Sequence, residues 1–213
     1  MRAELARLSE RESKSFMKKI PAIFIALLFI FCLPRQLLSQ APESLDWQLR
    51  FIKGRNRESM QINRPIRMET GEVFRLIIEA DADSYCYVIC YDSERQIFVL
   101  HNQALKGGTE VSIGPIVLTE PSGTETIYVI MSFSRFADLE RLITLYENSA
   151  SRQNVTNLYR EVIRLQNAAS GLGEPAMAII SSGGTSRSAE EEQDFATKFT
   201  GKETYVRAIS IRH

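Results

Sequence analysis

Apolar residues recur at every second position through most of the chain. Leu45, Trp47, Leu49 and Phe51 alternate with polar side chains, the period of a half-buried strand. Residues 54–63 are charged and irregular and read as a loop. Ile66 and Met68 alternate with Arg67 and Glu69 in a short strand, and Thr70-Gly71-Glu72 is a turn. Strong strands are predicted over 73–80 and 85–91, separated by the turn Asp81-Ala82-Asp83-Ser84. Asp92-Ser93-Glu94-Arg95 turns into a strand over 96–101, and Lys106-Gly107-Gly108-Thr109 is another tight turn. Two short strands, 110–113 and 116–118, flank Gly114-Pro115. The turn Glu120-Pro121-Ser122-Gly123 leads into a long strand over 125–133.

The period then changes. Phe136, Leu139, Leu142, Ile143 and Tyr146 follow helical spacing, and so do Val155, Leu158, Tyr159, Val162 and Ile163. They predict two amphipathic helices within about 136–168, joined near 148–153. Gly171-Leu172-Gly173-Glu174-Pro175 ends the second. Residues 176–180 are a candidate strand, 181–193 are rich in Ser, Gly and Glu and read as a mobile loop, and 203–212 alternate as a closing strand. Short strands with turn signals every ten or so residues predict a mainly β fold. The expected architecture is an antiparallel β-sandwich-like single domain over 41–213, with a two-helix insertion before the last strands. A strand after such an insertion most simply returns to the same sheet.

The N-terminus reads as an address. Met17-Lys18-Lys19 precedes an apolar run of 14 residues, Ile20 to Leu33, and a short tail ends Ser39-Gln40-Ala41. A positive start, an apolar middle of this length and a small residue at the end make a signal peptide over 17–40, cleaved near Ser39 to Gln40. A spanning helix needs about 20 apolar residues. If uncleaved, the segment would anchor the protein in the inner membrane. The bulky Phe29-Ile30-Phe31 before Cys32 argue against lipid attachment there. Residues 1–16 form a charged stretch ahead of the signal. Translation is expected to begin at Met17, with 1–16 either not made or a cytoplasmic extension.

Composition adds exclusions. The whole chain has 26 basic and 26 acidic residues. Residues 1–40 hold seven of the basic and three of the acidic ones, so 41–213 carry a net charge of −4. A mildly acidic exported domain has no bulk attraction to nucleic acid or anionic lipid. Cys86 and Cys90 share one predicted strand with Val88. Four residues along a strand is about 13 Å, too far for a disulfide, which needs Cα atoms within about 7 Å. Both read as small buried hydrophobes.

Few residues suggest chemistry. Glu79, Asp81 and Asp83 alternate at a strand end, a pattern that suits calcium, but no EF-hand spacing is present and acids are ordinary in turns. His101 could serve a nucleophile–His–acid set, yet no nucleophile elbow surrounds any serine. Ser181 to Ser186 lacks the spacing of a phosphate loop. Tyr85, Tyr87 and Tyr91 lie on the strand face opposite the cysteines. Such a stripe is either a binding platform, because tyrosine gives large contact area at low entropy cost, or a second core layer beneath the helices. The helix pair offers either packing on the domain's own sheet or a docking element.

The middle of the chain, about 64–136, resembles the bacterial family called domain of unknown function 4384. Pro65-Ile66-Arg67-Met68-Glu69-Thr70-Gly71-Glu72 is similar to its strand entering a Gly-containing turn, and Asp83-Ser84-Tyr85-Cys86-Tyr87-Val88 to its Gly-Tyr-Leu-Tyr strand, with Ser84 where Gly is usual. Phe98-Val99-Leu100-His101-Asn102 resembles its Leu-Phe-Pro-Asn segment, with His101 in place of Pro. Glu120-Pro121-Ser122-Gly123-Thr124-Glu125-Thr126 resembles its Pro-Pro-Gly-x-Glu turn. The resemblance implies a β-sandwich-like domain on exported bacterial proteins, an accessory role, and no catalytic residues to transfer. The expected function is that of a secreted, non-enzymatic module of the periplasm or cell envelope. It would bind another envelope protein through Tyr85, Tyr87 and Tyr91, with no cofactor, no metal, no nucleic acid and, after signal cleavage, no membrane. The alternatives are a periplasmic hydrolase using His101 and a structural subunit of an envelope complex.

Overall fold

A computed structural model describes residues 44–54, 58–169, 176–180 and 194–213. The expected signal peptide, the 1–16 extension, the Gly171–Pro175 break and the 181–193 loop lie outside the described residues. The strands are β1 (Leu45–Lys53), β2 (Glu58–Met60), β3 (Ile66–Arg67), β4 (Val73–Ala80), β5 (Ser84–Tyr91), β6 (Ile97–Leu105), β7 (Thr109–Val117) and β8 (Thr124–Ser132). Helices α1 (Ala137–Asn148) and α2 (Arg152–Ala169) follow, then β9 (Ala176–Ile180), β10 (Asp194–Gly201) and β11 (Thr204–Arg212).

The strands form two sheets. One runs β7-β4-β1-β10-β9, with β2 paired to the end of β1; the other runs β3-β11-β8-β5-β6. Among the described residues the pairings are antiparallel except β3 on β11, which is parallel. The sheets face each other across a core built from alternate residues of each strand. Leu45, Trp47, Leu49 and Phe51 of β1 meet Cys86 and Val88 of β5 and Ile127, Val129 and Met131 of β8. Trp47 stacks on Phe199 of β10 at 4.3 Å between ring centroids and meets the edge of Tyr205.

The two sheets differ in their outer faces. The first sheet turns polar side chains outward: Gln48 donates to Glu79 at 2.5 Å and Arg50 pairs with Glu110 across the strands. The second is buried on both faces. Tyr87 and Ile89 of β5 and Tyr128 and Ile130 of β8 pack beneath Leu139 and Ile143 of α1 and Leu158, Val162 and Leu165 of α2. That is why β5 and β8 read as nearly continuous apolar runs, whereas β1 alternates. The helices follow the sequence expectation because their buried residues sit three or four apart, on one stripe each. Asn154 ties their connection by donating to the carbonyls of Leu145 at 3.0 Å and Ser149 at 2.9 Å.

Four details depart from the sequence reading. Residues 58–60, expected to be loop, form β2 against Phe51, Ile52 and Lys53. The two short strands around Gly114-Pro115 are one strand, β7, whose register shifts opposite Phe74 to Leu76. An edge strand tolerates a proline because its outer N–H has no ladder partner to lose. Residues 194–201, given no element, form β10 beside β1. Strands after the helices return to both sheets, not one: β9 and β10 join the first and β11 the second. Among the described residues no helix is long and apolar enough to cross a membrane.

Candidate functional site

The tyrosine face lies under the helices, the second of the two arrangements its pattern allows. Tyr87 is only 1% exposed. Its hydroxyl donates to Glu140 Oε1 at 2.8 Å and accepts the Phe136 backbone N–H at 3.2 Å, so it ties β5 to the start of α1. Burial, with the Glu140 carboxylate beside it, pushes the phenol up to about 12. The Arg135 guanidinium, bonded to Glu140, in turn holds that carboxyl below the usual glutamate range. Tyr91 stacks on Tyr159 of α2 at 4.3 Å, and Tyr85 packs half-buried against the same layer. An open platform of Tyr85, Tyr87 and Tyr91 is therefore corrected: α1 and α2 cover this face, because its continuous apolar surface needs a partner layer.

The open apolar surface lies elsewhere, along one flank of the sandwich. β6 is the edge of the second sheet and β7 the edge of the first. The two are joined by the turn at residues 106–108 but pair with different sheets, so they separate as they leave it. Between them, at the far end, opens a cleft of about 300 Å³. Phe98 of β6 and Val117 of β7, 47% and 52% exposed, are among its lining residues and belong to opposite sheets; Val117 stands beside Val73 at the outer rim. Phe74, Leu100 and Leu118 supply apolar walls. Exposed hydrophobics gathered around a concavity mark interaction sites, whereas single scattered ones need no explanation.

Four acids, Asp92, Glu94, Glu120 and Glu125, line the same cleft, with no lysine or arginine among the described lining residues. Three of them also hold the surrounding loops in place. Asp92 Oδ1 accepts the Gln96 N–H at 2.7 Å, and Glu120 accepts the Ser122 N–H at 3.0 Å. Glu125 Oε1 accepts from His213 Nε2 at 3.1 Å. Gly123 lets the two loops meet, since a Cβ there would overlap the Cβ of Ser93.

Cys90 completes the inner wall, its Sγ 4.0 Å from Glu125 Oε2. Burial first, then the neighbouring Glu125 carboxylate, push the Cys90 thiol up to about 12; burial alone does the same for Cys86. A thiol so held is protonated at neutral pH and a poor nucleophile. His101 of β6 stands beside Val88 in register, and its buried Nε2 has no hydrogen-bond partner among the described residues. Burial holds its imidazole below the ordinary value. The described structure brings no acid or nucleophile into hydrogen bond with that ring nitrogen. Glu79 and Asp83, considered above for calcium, are engaged by Gln48 and by the Gly107 N–H at 2.8 Å. Among the described residues no three His, Cys, Asp or Glu side chains are placed to hold a metal ion.

The cleft escaped the sequence reading because its walls come from two strands of different sheets and the loops that follow them. One signal was available: Phe98 falls on the Cys90 face of the sheet, on β6, which is its edge strand among the described residues. Compared with protein-family models, with curated proteins and with solved structures, the chain matches none at a significant level.

Proposed function

We propose that the protein is an exported accessory module of the bacterial envelope that binds a partner protein, and that the cleft between β6 and β7 is where it binds. The partner segment presents an apolar or aromatic side chain to Phe98 and Val117 and a neighbouring lysine or arginine to the acidic wall. One observation carries this reading: Phe98 and Val117, each about half exposed and from different sheets, are among the residues of a cavity that, among the described residues, is lined by four acids and no base. Apolar anchors give such sites their affinity, and complementary charge sets partner choice. The signal-like segment at 17–40 and the resemblance to domain of unknown function 4384 support export and the accessory role. The raised Cys86 and Cys90 thiols and the unpartnered His101 favour binding over a hydrolase.

Selection of a random peptide library on the purified protein tests the cleft. Peptides joining a Leu, Phe or Trp to an adjacent Lys or Arg are expected to be enriched, and to be lost when Phe98 and Val117 are both changed to serine. No enrichment, or the same peptides retained by that variant, would refute it. N-terminal sequencing of the protein recovered from the cell envelope tests export, with a start near residue 40 or 41 expected.

A further inference from the structure

The opposite edge of the second sheet carries a different feature. β3 runs parallel to β11 with Ile66 beside Ile211 and Arg67 beside Arg212. The two isoleucines enter the core, 2% and 0% exposed. The two arginines therefore project together from the other face, both exposed. Adjacent strands lie about 4.8 Å apart, and like charges directly opposite each other destabilise a sheet. Arg64 lines the same basin, which encloses about 790 Å³. Among the described residues, no acid lines the basin and none of these three guanidinium groups has an ion-pair partner. Bulk charge does not account for this, since residues 41–213 carry an acidic excess. Met60 and Pro65 add an apolar wall and Gln61 an amide.

We propose that this basin binds a phosphate-bearing organic ligand. Arg67 and Arg212 grip the phosphate from adjacent strands, Arg64 closes on it, and the organic part lies against Met60 and Pro65. The residue type fits. All the cations are arginine, whose planar fork meets phosphate oxygens two at a time, where a lysine offers a point charge. A bound anion also relieves the repulsion between Arg67 and Arg212, which no acid among the described lining residues relieves. The volume is in the range of small-molecule sites. The phosphate could belong to a soluble ester or to a lipid headgroup, and the chemistry is the same. The proposal stands apart from the cleft, which lies on the other edge strand.

Calorimetric titration with inorganic pyrophosphate, and sedimentation with phosphatidylcholine vesicles containing phosphatidic acid, test it. Binding of pyrophosphate indicates a soluble ligand; binding of the vesicles alone indicates a headgroup. In either arm Arg67→Gln and Arg212→Gln are each expected to weaken binding about tenfold or more, the worth of a charge-assisted contact. Arg160→Gln, an exposed arginine on α2, should leave binding unchanged. Arg67→Gln should melt at or above the wild-type temperature, because it removes a like-charge pair. Failure of both probes to bind, equal loss with Arg160→Gln, or a lowered melting temperature for Arg67→Gln would overturn the proposal.

Discussion

The imidazole of His213 is wholly covered, and it joins Glu125 of β8 to Thr70 of the turn before β4. Nε2 donates to Glu125 Oε1 at 3.1 Å, and Nδ1 lies 3.2 Å from the Thr70 hydroxyl. The backbone N–H of His213 also bonds the Gly123 carbonyl at 3.1 Å. These bonds fix the wall of the cleft that Glu125 forms, from outside the cleft.

Removing the ring should leave Glu125, 8% exposed, short of its donor. His213→Ala is expected to cost about 1–3 kcal/mol in urea unfolding, the usual penalty for an orphaned buried polar group. The double variant with Glu125→Gln should lose less than the two single losses combined, because the groups act as a pair. Full additivity would mean that the contact contributes nothing.

Trp47 anchors the core where β1, β10 and β11 meet, stacked on Phe199 and edge-on to Tyr205. Trp47→Ala should destabilise by about 3–5 kcal/mol through the cavity it leaves. Trp47→Phe should cost clearly less. Its indole N–H is buried with no partner among the described residues, so the smaller ring also removes an unsatisfied donor. Chemical denaturation followed by circular dichroism measures both.

Tyr87→Phe keeps the ring under α1 but removes a hydroxyl with two partners, Glu140 and the Phe136 N–H. A loss of about 1–2 kcal/mol is expected. The pH dependence follows from Glu140, whose carboxyl is held low by Arg135 first and then, against the opposing effect of burial, by Tyr87. A carboxyl with a depressed folded value stabilises above its unfolded value and loses that contribution as pH falls through the folded one. The stability gap between wild type and Glu140→Gln should therefore be widest at neutral pH and close on acidification below the ordinary glutamate range.

His101 has the opposite origin but the same direction with pH. Burial lowers its value in the folded state, so the unfolded chain binds its proton first as pH drops below about 6.5. Stability falls from there until the folded ring also protonates. Because Nε2 is buried and unpartnered, His101→Leu should match or exceed wild-type stability at pH 7 and flatten the decline between pH 7 and 5. Unfolding at a series of pH values reads both effects. A large loss at pH 7 would show that the ring has a partner it needs.

Much of the fold was legible because burial imposes periods on the chain. β4 matches the predicted strand at both ends, and β5 and β8 differ from theirs by a residue. The helices showed in the spacing of Leu139 and Ile143, and of Leu158 and Val162. The misses have physical causes. β2 is three residues long, too short for any period to register. β10 mixes Thr197, Lys198 and Thr200 among its apolar residues, and only its place beside β1 supplies a core for Phe199. The tyrosine face could not be resolved from β5 alone, since a covered stripe and an open one share the same alternation. The cleft and the arginine basin arise from strands brought side by side by topology. Arg67 and Arg212 are adjacent only because β3 adds in parallel to β11.

The proposed partner of the acidic-walled cleft between β6 and β7 is an apolar and basic segment. The most direct measurement is the dissociation constant of a library-selected peptide, by fluorescence anisotropy, for wild type, Phe98→Ser and Glu94→Lys. Phe98 and Glu94 both line the cleft and are exposed, so neither change should unfold the sandwich. Loss of the apolar anchor should weaken binding by about tenfold or more, the scale of an interface hot spot. Glu94→Lys should weaken it further at low salt than at high salt. Equal affinity for all three proteins would contradict the assignment of the cleft.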